Sequence, residues 1–186
     1  MNKSNALDVN WLKENHKSIL YSGFGFIQIK ISDRHRLHFY TRKLPPLIHD
    51  EDIHNHRYGF RSTLVKGRVS QRIYQIVPGT DGIIDQQNGS ESVQHDSQPV
   101  LCSAKIMSTS FYSPGSSYFI EHDIFHRVSL ESETAITMIK RTEPKKDFFD
   151  VFRHRGSPKI DPLSKQIDDQ TLWKTVAEII DRGHHN

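Results

Sequence analysis

Between Phe24 and Arg141 the sequence is a run of short stretches in which apolar and polar residues alternate, closed by glycine, proline or small polar residues. Successive side chains of an extended chain point to opposite faces, so a period of two predicts strands. In 24–31, Phe24, Phe26, Ile27, Ile29 and Ile31 carry the apolar weight against Gln28 and Lys30. In 35–44, Leu37 and Phe39 share one face, with His38, Tyr40 and Arg42 on the other. Further strands are expected at 60–65, 69–77, 100–107, 109–112, 118–120, 127–130 and 135–141. Ser32-Asp33-Arg34, Pro45-Pro46, Pro78-Gly79-Thr80-Asp81-Gly82 and Pro114-Gly115 read as breaks or turns, and 83–98 as a long polar hairpin loop. Many short strands spaced by such signals fold as a sandwich or a barrel.

The flanks differ. Residues 5–20 read as a short helix, with Leu7, Trp11 and Leu12 on one face and Ile19 and Leu20 continuing it. Phe148, Phe149, Val151 and Phe152 form an apolar patch, and Pro158 to Pro162 a linker. Residues 168–182 make the clearest helix: Leu172, Val176, Ile179 and Ile180 recur at helical spacing before Gly183, so this helix should pack on the outside of the barrel. The expected organisation is one domain, with a helical segment at 1–23, a barrel at 24–156 and a helix at 157–186.

A chain of 186 residues buries about two thirds of its unfolded surface, enough for a core without a structural metal. Any metal is then expected to be functional. The net charge is +3 with no run of five basic residues, so nucleic acid is not indicated. Cys102 is the single cysteine, which excludes an intramolecular disulfide. The first eight residues are polar, and no apolar run approaches the roughly 18 residues of a membrane span. A cytoplasmic protein is expected, with room for a homodimer.

Twelve histidines are unusual for this length. In His54-Asn55-His56, residues two apart project to one face of an extended chain, so two imidazoles can converge on one ion while a third ligand comes from a neighbouring strand. Imidazole suits iron, zinc, nickel and copper. His122 is an alternative or extra ligand, read first as a loop histidine. His49 reads as an exposed loop residue, Cys102 as a small buried one, and His184 and His185 as a tail.

Gly67 follows His56 at the end of an apolar strand, and Gly115, Tyr118-Phe119-Ile120 and His126-Arg127-Val128 follow in order. Together these resemble the paired motifs of the cupin superfamily, over roughly residues 37–140. The resemblance implies an all-β cupin double-stranded β-helix, a jelly-roll barrel with flanking N- and C-terminal helices. It also implies His54, His56 and His126 as ligands of one divalent metal, Fe(2+) first, with Zn(2+), Ni(2+) or Mn(2+) as alternatives. The family's usual glutamate falls at Phe60 or Arg61, and neither is an expected ligand, which leaves a three-histidine site. The second motif's proline-glycine turn is replaced by Glu121-His122-Asp123-Ile124-Phe125.

Three-histidine cupins resemble the cysteine dioxygenases, and the set His54, His56, Tyr58, Phe60, Gly67, His126 and Arg127 is similar to uncharacterised bacterial and viral histidine-rich cupins. The first likeness implies a mononuclear non-haem iron(II) oxygenase acting on a small anionic substrate. Where that family carries serine, histidine and tyrosine on the last barrel strand, this chain has Thr137, Ile139 and Arg141, which argues against cysteine as substrate. Tyr118 and Arg141 are the candidate catalytic residues. Arg42, Arg61, Arg72 and Arg141 sit on expected strands, and one pointing inward would clamp a carboxylate or phosphate. Arg61 and Arg42 are taken as substrate-binding, and Arg61 or Arg141 is expected inside the mouth, within about 10 Å of the metal. The alternatives are a metal-dependent isomerase or lyase on a sugar or nucleotide derivative, and a non-catalytic ligand-binding cupin.

Overall fold

The computed structural model describes residues 7–44, 53–88, 100–157 and 167–181. The Pro45-Pro46 break, His49, most of the 83–98 loop beyond Asn88, the Pro158 to Pro162 linker and the His184-His185 tail lie outside the described residues.

Helix α1 is Val9–Asn15, capped by the Asp8 carboxylate accepting from the backbone N–H of Asn10 and Trp11. It is shorter than the helix expected over 5–20. Lys17 N–H already donates to Lys30 C=O, and strand β1, Ser18–Ser22, pairs with β2, Phe26–Lys30. Ile19 and Tyr21 bury alternate positions of that strand, so the apolar residues that seemed to continue the helix follow the strand period instead. Phe24 belongs to the β1–β2 turn, where Gly25 takes φ +82°.

The chain continues through β3 (His35–Thr41), β4 (Ile53–His54), β5 (Phe60–Lys66), β6 (Val69–Asn88), β7 (Leu101–Tyr112) and β8 (Ser117–Ile120). It ends with β9 (Phe125–Leu130), β10 (Thr134–Arg141), β11 (Phe148–His154) and helix α2 (Asp169–Asp181). One antiparallel sheet runs β1-β2-β3-β10-β5-β8, the other β11-β4-β9-β6-β7. The central halves, β3-β10-β5-β8 and β4-β9-β6-β7, have the order of a jelly roll, in which the chain crosses between sheets except at the β6–β7 hairpin.

Three expectations are corrected here. Pro78 to Gly82 is not a turn between elements but a bulge within β6, with both Pro78 and Gly82 opposite Cys102. A bulge is one of the few places a strand tolerates proline. The beginning of the expected 83–98 loop is strand, since residues 82–88 of β6 pair with β11. Gly82 permits this approach, because a Cβ there would stand 2.4 Å from the Arg153 carbonyl oxygen. The apolar patch at Phe148 is therefore a strand, and the two strands expected at 100–107 and 109–112 are one, broken in register where Ile73 pairs with Ser108 and Tyr74 with Ile106.

The largest apolar core lies outside the barrel. Leu37 and Phe39 of β3 and Ile136 of β10 pack with Leu12 of α1, Ile27 and Ile29 of β2, and Leu172, Val176 and Ile179 of α2. Truncating Leu172 to Ala costs about 2–5 kcal/mol. Lys66 fastens α2 by donating to the Ile179 and Ile180 carbonyls at its C-terminal end, where the helix dipole favours a cation. With Leu37 and Phe39 facing the helices, Arg36, His38 and Tyr40 turn the other way, toward the barrel. No helix among the described residues is long and apolar enough to cross a membrane.

Candidate metal centre

Strand β4 is two residues long, yet both its neighbours fix it. His54 pairs with Val151 of β11 on one side and with His126 of β9 on the other. The chain then leaves the ladder, and His56 N–H donates to the His122 carbonyl at 3.0 Å. Between the two histidines, Asn55 faces the opposite way and is buried. Its N–H donates to the Asp150 carbonyl. Its side-chain amide donates to Asp150 Oδ2 at 2.7 Å, and its Oδ1 accepts from Asp150 N–H at 2.7 Å and Lys146 Nζ at 3.1 Å. Lys146 and Asp150 are themselves an ion pair at 3.1 Å. Three consecutive residues are thus pinned to β9, to β11 with the Lys146 just before it, and to the turn between β8 and β9.

The result is a cluster. His54, His56 and His126 each offer one nitrogen, and these nitrogens lie within 4.8 Å of one another. The Nε2 atoms of His56 and His126 are 2.8 Å apart. Two nitrogens bound at right angles, each about 2.0 Å from an ion, stand about 2.8 Å apart, so this pair has the spacing of adjacent ligands. Burial, and then the neighbouring histidines, hold His56 and His126 well below the usual imidazole range. Both rings are therefore neutral near pH 7, with a lone pair to give. The donor set fits a divalent metal of the borderline-soft kind.

Aromatic rings wall the cluster. Phe24, from the β1–β2 turn, stacks on His54 at 4.2 Å between centroids, and Phe60 meets His56 edge-on at 4.7 Å. Phe60 also lies 5.7 Å from the His126 ring, so an aromatic occupies the place where a carboxylate ligand was sought. His122 contributes its backbone carbonyl and is not among the clustered nitrogens.

The cluster opens into a cavity of about 420 Å³, whose lining includes His38, Tyr40, Arg42, Tyr58, Tyr118 and Arg127. Among the described residues, no aspartate or glutamate lines it. Burial pushes the Tyr118 hydroxyl up to about 12, so it is a proton-bearing donor at any ordinary pH. Arg42 sits at the rim and donates to the Leu130 carbonyl at 3.0 Å.

The other arginines lie elsewhere. Arg61 is exposed, with Phe60 and Ser62 buried on either side of it, because β5 keeps strict alternation. The expectation that Arg61 lies inside the mouth does not hold. Arg141 lines no part of the cavity. Its guanidinium lies 4.8 Å over the Tyr58 ring and donates through Nε to the Asp33 carbonyl. Arg72 lies on β6 opposite Arg127.

His38, Tyr40 and Asn55 are site residues that sequence reasoning did not select. The signal for the first two was present, as the polar face of β3. The apolar face of that strand is the one covered by helices, which leaves the polar face for the interior.

No protein-family model matches this sequence, and no curated protein is significantly similar to it. Among solved structures, the chain is similar to hydroxypropylphosphonic acid epoxidase from S. wedmorenis in complex with fosfomycin, with a TM-score of 0.41 and 11% identity over 67% of this chain and 55% of that one. Hydroquinone 1,2-dioxygenase PnpCD, with Cd2+ and 4-hydroxybenzonitrile, gives 0.38 and 7% identity over 78% and 81%. The hydroquinone 1,2-dioxygenase of Sphingomonas sp. TTNP3, with 4-hydroxybenzoate, gives 0.35 and 7% over 61% and 62%. The chain spans just over half the length of the epoxidase.

Proposed function

We propose that this chain is a mononuclear non-haem iron(II) oxygenase acting on a small anionic molecule, with His54, His56 and His126 as the metal ligands. The observation that carries the reading is the convergence of three imidazole nitrogens beside a cavity whose lining, among the described residues, includes Arg42 and no carboxylate. Three protein ligands leave coordination positions open for exchangeable ligands. Iron bound there would supply the one-electron and dioxygen chemistry that no side chain of this cavity can perform.

The remaining roles fall to the chain itself. Arg42 at the rim would hold the anionic end of the substrate; a guanidinium offers two parallel donors to a carboxylate or phosphate. Tyr118, kept protonated by burial, would donate a hydrogen bond to substrate held near the histidines. Phe24, Phe60 and Tyr58 exclude bulk water from the metal side, which strengthens each of these interactions. The cavity volume is that of a small-molecule site.

The test is metal content of protein purified without an affinity tag, followed by oxygen uptake with a panel of small carboxylates and phosphonates. Iron in proportion to chain, with substrate-dependent oxygen consumption, supports the proposal. A bound metal with turnover but no oxygen consumption would replace it by Lewis-acid chemistry of the isomerase or lyase type. Ligand binding that persists in metal-free protein without turnover would replace it by a binding module.

A further inference from the structure

Around Tyr58, outside the cavity lining, three arginines gather that the oxygenase reading does not use. Arg36 is the second residue of β3, Arg57 follows His56, and Arg141 ends β10. Three backbone hydrogen bonds tie these segments: Arg141 N–H to Arg34 C=O, Thr142 N–H to Gly59 C=O and Lys145 N–H to Arg57 C=O. Arg36 and Arg141 both lie against the Tyr58 ring, 5.6 Å and 4.8 Å from its centroid. All three side chains are half-buried.

Their donors are poorly used. The Nε atoms of Arg36 and Arg57 are buried and have no hydrogen-bond partner. Arg36 gives Nη1 to Gln28 Oε1 at 2.9 Å, and Arg141 gives Nε to the Asp33 carbonyl, both neutral acceptors. Among the described residues none of the three forms an ion pair. The nearby acids are engaged elsewhere, Asp33 with Lys17 and Lys30, and Glu143 with Arg34. Burial first, and then the charges of Arg141 and Arg57 against the partial relief of Tyr58, disfavours the charged form of Arg36. Like charges gathered with buried donors unsatisfied are costly. One anion would supply the acceptors and cancel the repulsion together.

We propose that Arg36, Arg57 and Arg141, none of which lines the histidine cavity, form a binding site for a phosphate group. Three guanidiniums from three segments suit a tetrahedral oxyanion, which offers acceptors in several directions, better than a planar carboxylate. Tyr58 also lies 5.8 Å from the His56 ring, so one ring borders both groups.

The experiment is calorimetric titration of the full chain with inorganic phosphate at constant ionic strength balanced by chloride. Saturable binding of one phosphate per chain is expected. It should be about tenfold or more weaker in Arg57→Gln and in Arg141→Gln, the loss expected when a charged donor pair is removed. It should be unchanged in Arg42→Gln and in His126→Ala, which separates this site from the cavity and from the metal reading. Arg36 sits within a paired strand and also donates to Gln28, so the other two carry the test if Arg36→Gln does not fold. No saturable phosphate binding, or binding that survives both variants, overturns the site. So does binding lost in Arg42→Gln, equal affinity for citrate, or a response only to a single-stranded oligonucleotide.

Discussion

His54 and His126 are direct partners in the antiparallel pairing of β4 with β9, their ring centroids 5.0 Å apart. Two ligands opposed in a ladder inherit their separation from the backbone, because neighbouring strands lie a fixed distance apart and facing side chains share one side of the sheet. The third, His56, is held by a coil segment, so the cluster combines one distance set by the sheet with one set by side-chain clamps.

Replacing any one of the three by Ala should strip metal from stoichiometric to trace levels while leaving the barrel folded. The core that stabilises the fold lies between the first sheet and the helices, away from the site. Metal analysis beside a thermal melt checks this. A His126→Ala protein that is unfolded when purified would mean the metal is structural, and one that keeps its iron would mean His126 is not a ligand.

Asn55→Ala touches no ligand, yet it should weaken metal affinity about 10–100-fold, the range for residues that orient ligating side chains. Asn55 locks the backbone between two ligands onto Asp150 and Lys146. Its loss leaves buried partners unpaired, at about 1–3 kcal/mol of stability. A metal dissociation constant measured by chelator competition should therefore move together with the melting temperature. Unchanged metal affinity in a destabilised variant would reduce Asn55 to a purely structural role.

Cysteine should not be oxidised efficiently by the iron-loaded protein. Thr137 and Ile139 are buried on β10, and Arg141 lies against Tyr58 outside the cavity lining. No histidine-tyrosine pair replaces the missing groups on that strand. An oxygen electrode with cysteine as sole substrate is the measurement, and rapid uptake with sulfinate formation would contradict the argument.

Much of this was legible in the residues. Alternation alone marks β3 and β5, and it places Arg61 outward; β10, with four consecutive buried positions, shows no such alternation. The His54-Asn55-His56 spacing marks a ligand pair. Gly67 ends its strand at φ +77°, where a Cβ would stand 2.0 Å from the Thr134 carbonyl oxygen. What alternation does not carry is which face of a strand is inside. In β3 the apolar face meets helices and the polar face meets the cavity, the reverse of a simple two-sheet core. Pairings over long separations were also hidden: nothing local in 82–88 announces β11 as its partner, and nothing near Asn55 announces Asp150.

The last prediction concerns acid. His38 lies half-buried on the interior face of β3, stacked on Phe26 at 4.2 Å, with a buried Nε2 lacking a partner. Burial first, then the charges of Arg36 and His54, bring its pKa down to about 3. In the unfolded chain it titrates near 6.5. Between these values the unfolded state takes up a proton that the native state refuses. The stability is then fully present above about pH 6.5 and falls as the pH drops toward 3, by up to about 1.4 kcal/mol per unit from this one group. His38→Phe removes the proton site and keeps a flat ring against Phe26. The acid-unfolding midpoint of the metal-free protein should therefore move to lower pH in that variant, with stability at pH 7 changed less than stability at pH 4.5. An unchanged midpoint would mean that His38 gains a proton without leaving its place, through an acceptor on its Nε2 side.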